Sequence, residues 1–175
     1  TSLLAYSEKA TVPVLVTAEK YVIDESRDIM TWALIQSDPS NWLCKDTPQL
    51  QTQIMQLIDE NDGSFKWALD RYKYSDRYEE SEEYYRELGE VFLAKLENLL
   101  EKNHYLFTNE PSLADIAIFP FVRQFAHVDK NWFEKSPYPK LIQWLNEWLA
   151  SEVFNSIMEK YQPWQANNDS IHFPK

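Results

Sequence analysis

Pro111-Ser112-Leu113-Ala114-Asp115-Ile116-Ala117-Ile118-Phe119-Pro120-Phe121-Val122-Arg123-Gln124-Phe125 is the stretch on which the fold turns. Its apolar positions leave no wide polar face, which is the pattern of a helix buried in the middle of a protein. A buried helix needs its first N–H groups satisfied from within. Ser112 stands at the N-cap position with Asp115 three residues on, a capping box that does this. We assign Ser112 and Asp115 to folding and not to chemistry. Pro111 and Ile116 occupy the two staple positions. Pro120, inside the helix, should bend it or cost one backbone hydrogen bond.

Most of the chain reads as helix around this centre. Ser26 to Ile35 sets Ile29, Met30, Trp32 and Ala33 on one amphipathic helix. Leu50, Ile54, Leu57 and Ile58 begin a second stripe, which Gly63 breaks and Phe65, Trp67 and Leu69 resume. Glu79 to Lys102 places Leu88, Phe92, Leu96 and Leu99 on one face with acids opposite. Leu141, Trp144, Leu145, Trp148 and Leu149 follow helical spacing, and with Trp132 and Trp164 they read as core. The polar tail from Asn167 to Lys175 reads as frayed. Before these helices, Val12 to Val16 and Tyr21 to Asp24 read as two antiparallel strands joined at hairpin length. A two-stranded sheet is marginal alone, and no later segment reads as a strand to pair with it.

The 175 residues carry 28 acids against 17 Lys and Arg, a formal net charge of −11, with 44% apolar and 15% aromatic residues. That composition describes a folded acidic domain and not a disordered chain. It argues against a nucleic-acid partner, whose binding rests on clustered cations. With only Gly63 and Gly89, phosphate-cradling glycine loops are excluded. Cys44 is the sole cysteine and the three histidines (His104, His127, His172) are dispersed, so no metal site is expected. No stretch approaches the roughly 20 apolar residues of a membrane span. A cytoplasmic location is the default expectation.

Val12-Pro13 opening a strand, Glu25-Ser26 at the helix start after the hairpin, and Ser112 to Ile116 stand in an order and spacing that resemble the glutathione transferase family. The Val12-to-Glu25 interval is similar to the omega-like and bacterial branch. The resemblance covers nearly all of the chain and implies a mainly α protein. A truncated thioredoxin-like, glutathione-binding lobe (residues 1–36, one hairpin and one helix) would be joined by a linker (37–47) to an all-helical C-terminal domain (48–175). The family begins with a β-α-β unit that carries a catalytic Tyr, Ser or Cys, and the match here starts after it. The catalytic residue is therefore expected upstream of Thr1, with none in this chain. Cys44, in the linker, is no substitute.

The resemblance implies that Val12, Pro13, Glu25 and Ser26 hold glutathione, as substrate. A cis bond before Pro13 would turn the Val12 backbone toward the cysteinyl part; an edge-strand proline is the plainer alternative. Ser26, at a helix N-terminus, suits a carboxylate, and Glu25 suits an ammonium, which the γ-glutamyl end presents together. An ordinary N-cap explains the same pair. The run from Phe65 to Tyr78 alternates aromatics and cations, and in the family this helix lines the co-substrate cleft, which nominates Arg71, Tyr72, Tyr74 and Arg77. Cations laid along stacked aromatics are the alternative. Arg123 and His127 should find local carboxylates. The activity implied is conjugation of glutathione to an electrophile, or thiol–disulfide exchange with a disulfide co-substrate, in a homodimer. The rival is a non-catalytic interaction module with the same fold.

Overall fold

The computed structural model describes residues 3–9 and 11–163. The tail from Asn167 to Lys175, with His172, and Trp164 lie outside them. A short 3-10 turn, Leu3–Ala5, leads to the hairpin of β1 (Leu15–Val16) and β2 (Val22–Ile23). The strands are antiparallel, Leu15 facing Ile23 and Val16 facing Val22. They are shorter than the apolar runs that predict them, since Pro13 has no N–H to add to the ladder. The Val12–Pro13 bond is cis. The turn closes through the Thr17 carbonyl, which accepts from Lys20 at 2.9 Å, and the Thr17 hydroxyl, which accepts from the Tyr21 amide at 3.2 Å. Lys20 takes φ 67° there.

Helix α1 (Ser26–Gln36) follows, with Glu25 as its N-cap residue. None of its residues is fully buried; Ile29, Met30, Trp32 and Leu34 are half-buried and Ala33 is exposed. The segment after it is a chain of turns. The Asp38 carboxylate accepts from the Trp42 and Leu43 amides at 2.8 and 3.0 Å, and Asn41 and Cys44 take positive φ. The Trp42 carbonyl then accepts the Leu113 amide at 2.9 Å, so this segment covers the start of the central helix.

Helix α2 (Pro48–Glu60) opens on a proline at its first position, where the missing N–H costs nothing. Gly63 does not end it. Residues Asn61–Phe65 form one π turn, with the Lys66 amide reaching the Asn61 carbonyl, and α3 (Lys66–Lys73) continues the same rod. The extra residue rotates the stripe so that Phe65 and Leu69 stay buried while Trp67, 46% exposed, turns outward.

After the 3-10 turn Ser75–Arg77, α4 (Glu82–Leu100) is N-capped by the Ser81 hydroxyl, which accepts the Tyr84 amide at 3.2 Å. Its buried face is Tyr85, Gly89, Phe92, Leu93, Leu96 and Leu100. The predicted register is corrected here: Leu88 is 39% exposed and Leu99 only half-buried. Glycine at 89 is required by a close approach. A Cβ there would lie 2.4 Å from Phe125 Cε2. Glu97, an acid on the buried face, has a use: its oxygens accept the Lys140 and Leu141 amides at 3.0 and 2.8 Å, capping α7 (Pro139–Ala150).

The central helix α5 starts at Leu113 as predicted and runs to Val128, past the Phe125 where the apolar pattern ends, with nine buried residues and Pro120 on its exposed side. Asp115 is fully buried. Its Oδ2 accepts from the Ser112 amide and hydroxyl, both at 2.9 Å. Its Oδ1 accepts from the Leu106 amide and from Trp144 Nε1, both at 3.0 Å. Burial pushes this carboxyl up from the usual aspartate range, against the four hydrogen bonds that favour the ionised form. One acid thus ties the start of α5 to the loop before it and to α7. Helices α6 (Lys130–Glu134), α7 (Pro139–Ala150) and α8 (Glu152–Ile157) complete the bundle. Leu141, Trp144, Leu145 and Trp148 form the buried stripe of α7, as their spacing predicts. No described helix is long and apolar enough to cross a membrane.

Candidate functional site

Of the predicted ligand-facing residues, Glu25 and Ser26 stand at the start of α1, and Val12 and Pro13 lie in the segment before β1, whose ladder with β2 ends at the Leu15–Ile23 pair. Val12 is 80% exposed, and Glu25 and Ser26 are exposed as well. Glu25, not Ser26, is the N-cap residue. Its side chain makes no cap hydrogen bond, which leaves the first α1 amides and the positive end of the helix open to a carboxylate.

Two residues that the sequence reading did not single out join this corner. Lys9 pairs with the Glu25 carboxylate and lies 3.9 Å from Asp24. The Lys9 pKa is raised, first by its hydrogen bond to Glu25 and then by the nearby charge of Asp24. The Ser7 hydroxyl donates to Asp24 Oδ2 at 3.0 Å. Residues 7–9 are therefore pinned to the turn between β2 and α1. Sequence spacing carries no signal of this contact, because it joins residues 16 and 17 positions apart. The corner thus offers an acid already in a charge pair and a helix N-terminus, with exposed Val12 in the segment that leads to β1. That combination suits a small zwitterion, whose ammonium would compete with Lys9 for Glu25.

The second group of candidates does not form one surface. Tyr72 is 1% exposed and packs on Phe125 at 4.8 Å between ring centroids. Its burial pushes the phenol up to about 12. A side chain so placed is core and is removed from any cleft. Arg71 lies between the Trp67 ring, 3.9 Å away, and the Tyr78 ring, 4.6 Å away. Arg77 lies 4.4 Å over Tyr74, with Lys73 5.0 Å from the same ring. The cations are thus laid along aromatic faces, the alternative that the sequence left open.

Arg123 and His127 depart from expectation. His127 Nδ1 meets the Arg123 carbonyl at 2.7 Å, and Arg123 sits 5.4 Å over the Phe154 ring. Neither has a carboxylate partner among the described residues. With Met30, Phe119 and Trp148, Arg123 lines an apolar hollow of about 360 Å³ between α1, α5 and α8. Cys44 is buried, and burial raises its thiol pKa, which suits an inert position. Among the described residues no cluster of three or more His, Cys, Asp or Glu side chains could hold a metal ion.

Residues 76–147 match the family model described as glutathione S-transferase, C-terminal domain. No curated protein sequence matches the chain. Among solved structures, a glutathione S-transferase of class Gtt2 from Vibrio parahaemolyticus aligns with a TM-score of 0.73 at 20% identity, over 89% of this chain and 76% of that one. A glutathione S-transferase from Rhodospirillum rubrum aligns with a TM-score of 0.71 at 19% identity, over 93% and 77%. Glutathione S-transferase I, solved with lactoylglutathione bound, aligns with a TM-score of 0.72 at 17% identity, over 87% and 76%. The chain therefore has the glutathione S-transferase fold, and its helical part carries the match to that family's C-terminal domain.

Proposed function

We propose that this chain is the greater part of a glutathione transferase-like protein that takes glutathione as substrate at the corner formed by Val12, Pro13, Glu25 and Ser26. The observation that supports the reading is the Glu25 carboxylate at an α1 N-terminus that no N-cap side chain closes, with exposed Val12 in the segment before β1, the strand paired with the one that leads into α1. The γ-glutamyl group has an ammonium for Glu25 and a carboxylate for the Ser26 end, and the strand backbone suits the cysteinyl amide. In the family that the chain resembles the nucleophile-activating residue stands in a β-α-β unit ahead of the hairpin, and the division into lobe (1–36), linker (37–47) and helical domain (48–175) is part of this reading. Of the second group, exposed Tyr74 and Arg77 and half-buried Arg71 remain to orient an electrophilic or disulfide co-substrate. The protein works as a cytoplasmic homodimer.

Calorimetric titration of glutathione into the full chain tests the binding corner. Glu25→Gln and Ser26→Ala should each weaken binding by about 1.5–3 kcal/mol, the worth of a charge-assisted hydrogen bond. Both substitutions are exposed and should leave the melting temperature within about a degree or two. Equal affinity in wild type and Glu25→Gln would refute the corner as the site. Binding with no lowering of the glutathione thiol pKa, measured in protein that also carries the family's β-α-β unit ahead of the hairpin, would favour the non-catalytic interaction module.

A further inference from the structure

With 28 acids against 17 Lys and Arg, a cation in this chain can ordinarily find a carboxylate. Arg123 does not. It stands half-buried on α5, its guanidinium 5.4 Å over the Phe154 ring, and its Nε is buried with no hydrogen-bond partner among the described residues. Arginine keeps its charge throughout the range in which proteins fold, and a charge drawn out of water without a partner is costly. Lys73, the last residue of α3, is a second cation beside it. Its one hydrogen bond among the described residues goes to a neutral group, Gln124 Oε1, at 3.4 Å. Lys73, Arg123, Gln124, His127 and Val128 line a hollow of about 330 Å³ between α3 and α5, and no acid is among them.

Two permanent positive charges around one hollow, in a chain of net charge −11, suit an anion. The buried Nε of Arg123 is out of reach, so its charge has to be met at the terminal Nη groups. Those present the planar donors that a carboxylate matches, and exposed Lys73 adds a mobile point charge. Gln124, whose Oε1 accepts from Lys73, keeps its amide N–H groups as further donors. The hollow also adjoins the residues assigned to the co-substrate. Lys73 Nζ lies 5.0 Å from the Tyr74 ring, and the Arg77 guanidinium lies 4.4 Å over the same ring. We propose that Lys73 and Arg123 hold a carboxylate of the co-substrate, which makes small organic acids the class that this protein selects. The assignment to the co-substrate rests on the functional reading above, but the anion site itself does not depend on glutathione.

Fluorine NMR titration of 4-fluorobenzoate into the full chain, with 4-fluorobenzamide as its neutral isostere, tests the proposal. The acid should bind about tenfold more tightly than the amide, the worth of a charge-assisted contact. Arg123→Gln should weaken the acid about tenfold and leave the amide unchanged, whereas Arg123→Lys, which keeps the charge, should retain most of the binding. Lys73 is exposed, so Lys73→Glu should fold, and it should weaken the acid about tenfold as well. Lys66→Glu makes the same change of charge at an exposed position of the same helix, and its effect should stay within about twofold. Equal binding of acid and amide overturns the proposal, as does wild-type affinity in Lys73→Glu or an equal loss in Lys66→Glu. Saturating glutathione should leave the affinity for the acid unchanged. Competitive displacement would give the site to a carboxylate of glutathione and overturn its assignment to the co-substrate. Glu25→Gln should bind the acid as the wild type does, so failure of the corner at Glu25 and failure of this site are distinguished.

Discussion

Asp115→Asn changes two atoms' chemistry and almost no volume, and it should be among the most damaging conservative substitutions in the chain. Each carboxylate oxygen accepts two donors: Oδ2 from the Ser112 amide and hydroxyl, Oδ1 from the Leu106 amide and Trp144 Nε1. A carboxamide has one oxygen. Whichever way it turns, its NH2 group faces two buried donors that can find no water, since Asp115 and Ser112 are both 0% exposed. Only the Ser112 hydroxyl can rotate away. Turned toward Ser112, the NH2 group orphans one buried N–H while the hydroxyl rotates to accept; turned toward Leu106 and Trp144 it orphans two, so the expected cost is roughly 1.5–6 kcal/mol. A domain of this size has about 5–15 kcal/mol to lose. Urea unfolding followed by tryptophan fluorescence should show the midpoint fall by about 1–3 M with an unchanged slope. Ser112→Ala removes the hydroxyl but leaves the Ser112 amide bonded to Oδ2, and it should cost about 1 kcal/mol. The order is the decisive part. A loss below about 1 kcal/mol for Asp115→Asn, or a larger loss for Ser112→Ala, would refute the view that this acid holds three segments together.

Gly89→Ala should lower the melting temperature even though alanine favours helix by up to about 1 kcal/mol. The new methyl would stand 2.4 Å from a Phe125 ring that is 1% exposed and already packed on Phe65 and Tyr72, so an overpacking cost of about 1–3 kcal/mol should prevail; a rise in stability would refute this. Burial pushes the Tyr72 phenol up to about 12, and burial followed by the hydrogen bond to Glu90 pushes Tyr138 up as well. Both ionise more readily when unfolded. Their contribution is therefore complete below about 10, the ordinary tyrosine value, and is lost as pH rises above it. Equilibrium unfolding at a series of alkaline pH values should show stability falling over that range, with a shallower fall in Glu90→Gln. A pH-independent stability there would contradict the burial of both hydroxyls.

The sequence made the helical elements legible where one physical signal dominated. The α5 pattern could only be a buried helix, and the Ser112–Asp115 spacing named its cap; the α7 stripe needed no further information. The errors lie where two signals competed. In α4 the outer residues Tyr84, Leu88 and Val91 are as apolar as the inner ones, so periodicity alone chose a face through Leu88 that the structure places outside. At Gly63 a local helix breaker was overridden by packing on both sides, and the chain took a π turn in place of a stop. At the candidate site, Glu25 and Ser26 were legible because a helix start has a sequence signature. Lys9 and Ser7 were not, since their contacts close a loop of more than a dozen residues and depend on a turn geometry that no spacing encodes. Tyr72 was misplaced for a related reason. In an alternating aromatic and cationic run every second residue looks alike, and only the rotation imposed by the π turn decides which ring enters the core.

Stability and the proposed ligand contact fall on different parts of this chain. The buried apolar residues run from Ile54 to Trp148 along α2 to α7, apart from Cys44 in the turns before α2, and none lies on α1. The hairpin and α1 are held to the bundle by half-buried Met30 and Leu34 and by the Arg27–Asp59 pair, both partners of which are substantially exposed. Such a pair contributes at most about 1 kcal/mol. It follows that the hairpin and the start of α1 can open locally at a small fraction of the free energy that unfolds the bundle. Amide hydrogen exchange should therefore protect α5 and α7 by many orders of magnitude more than β1, β2 and the first turn of α1. Bound glutathione should then raise protection in that first segment and leave α5 unchanged. A ligand that protected α5 equally would have to bind the bundle and not the corner at Glu25.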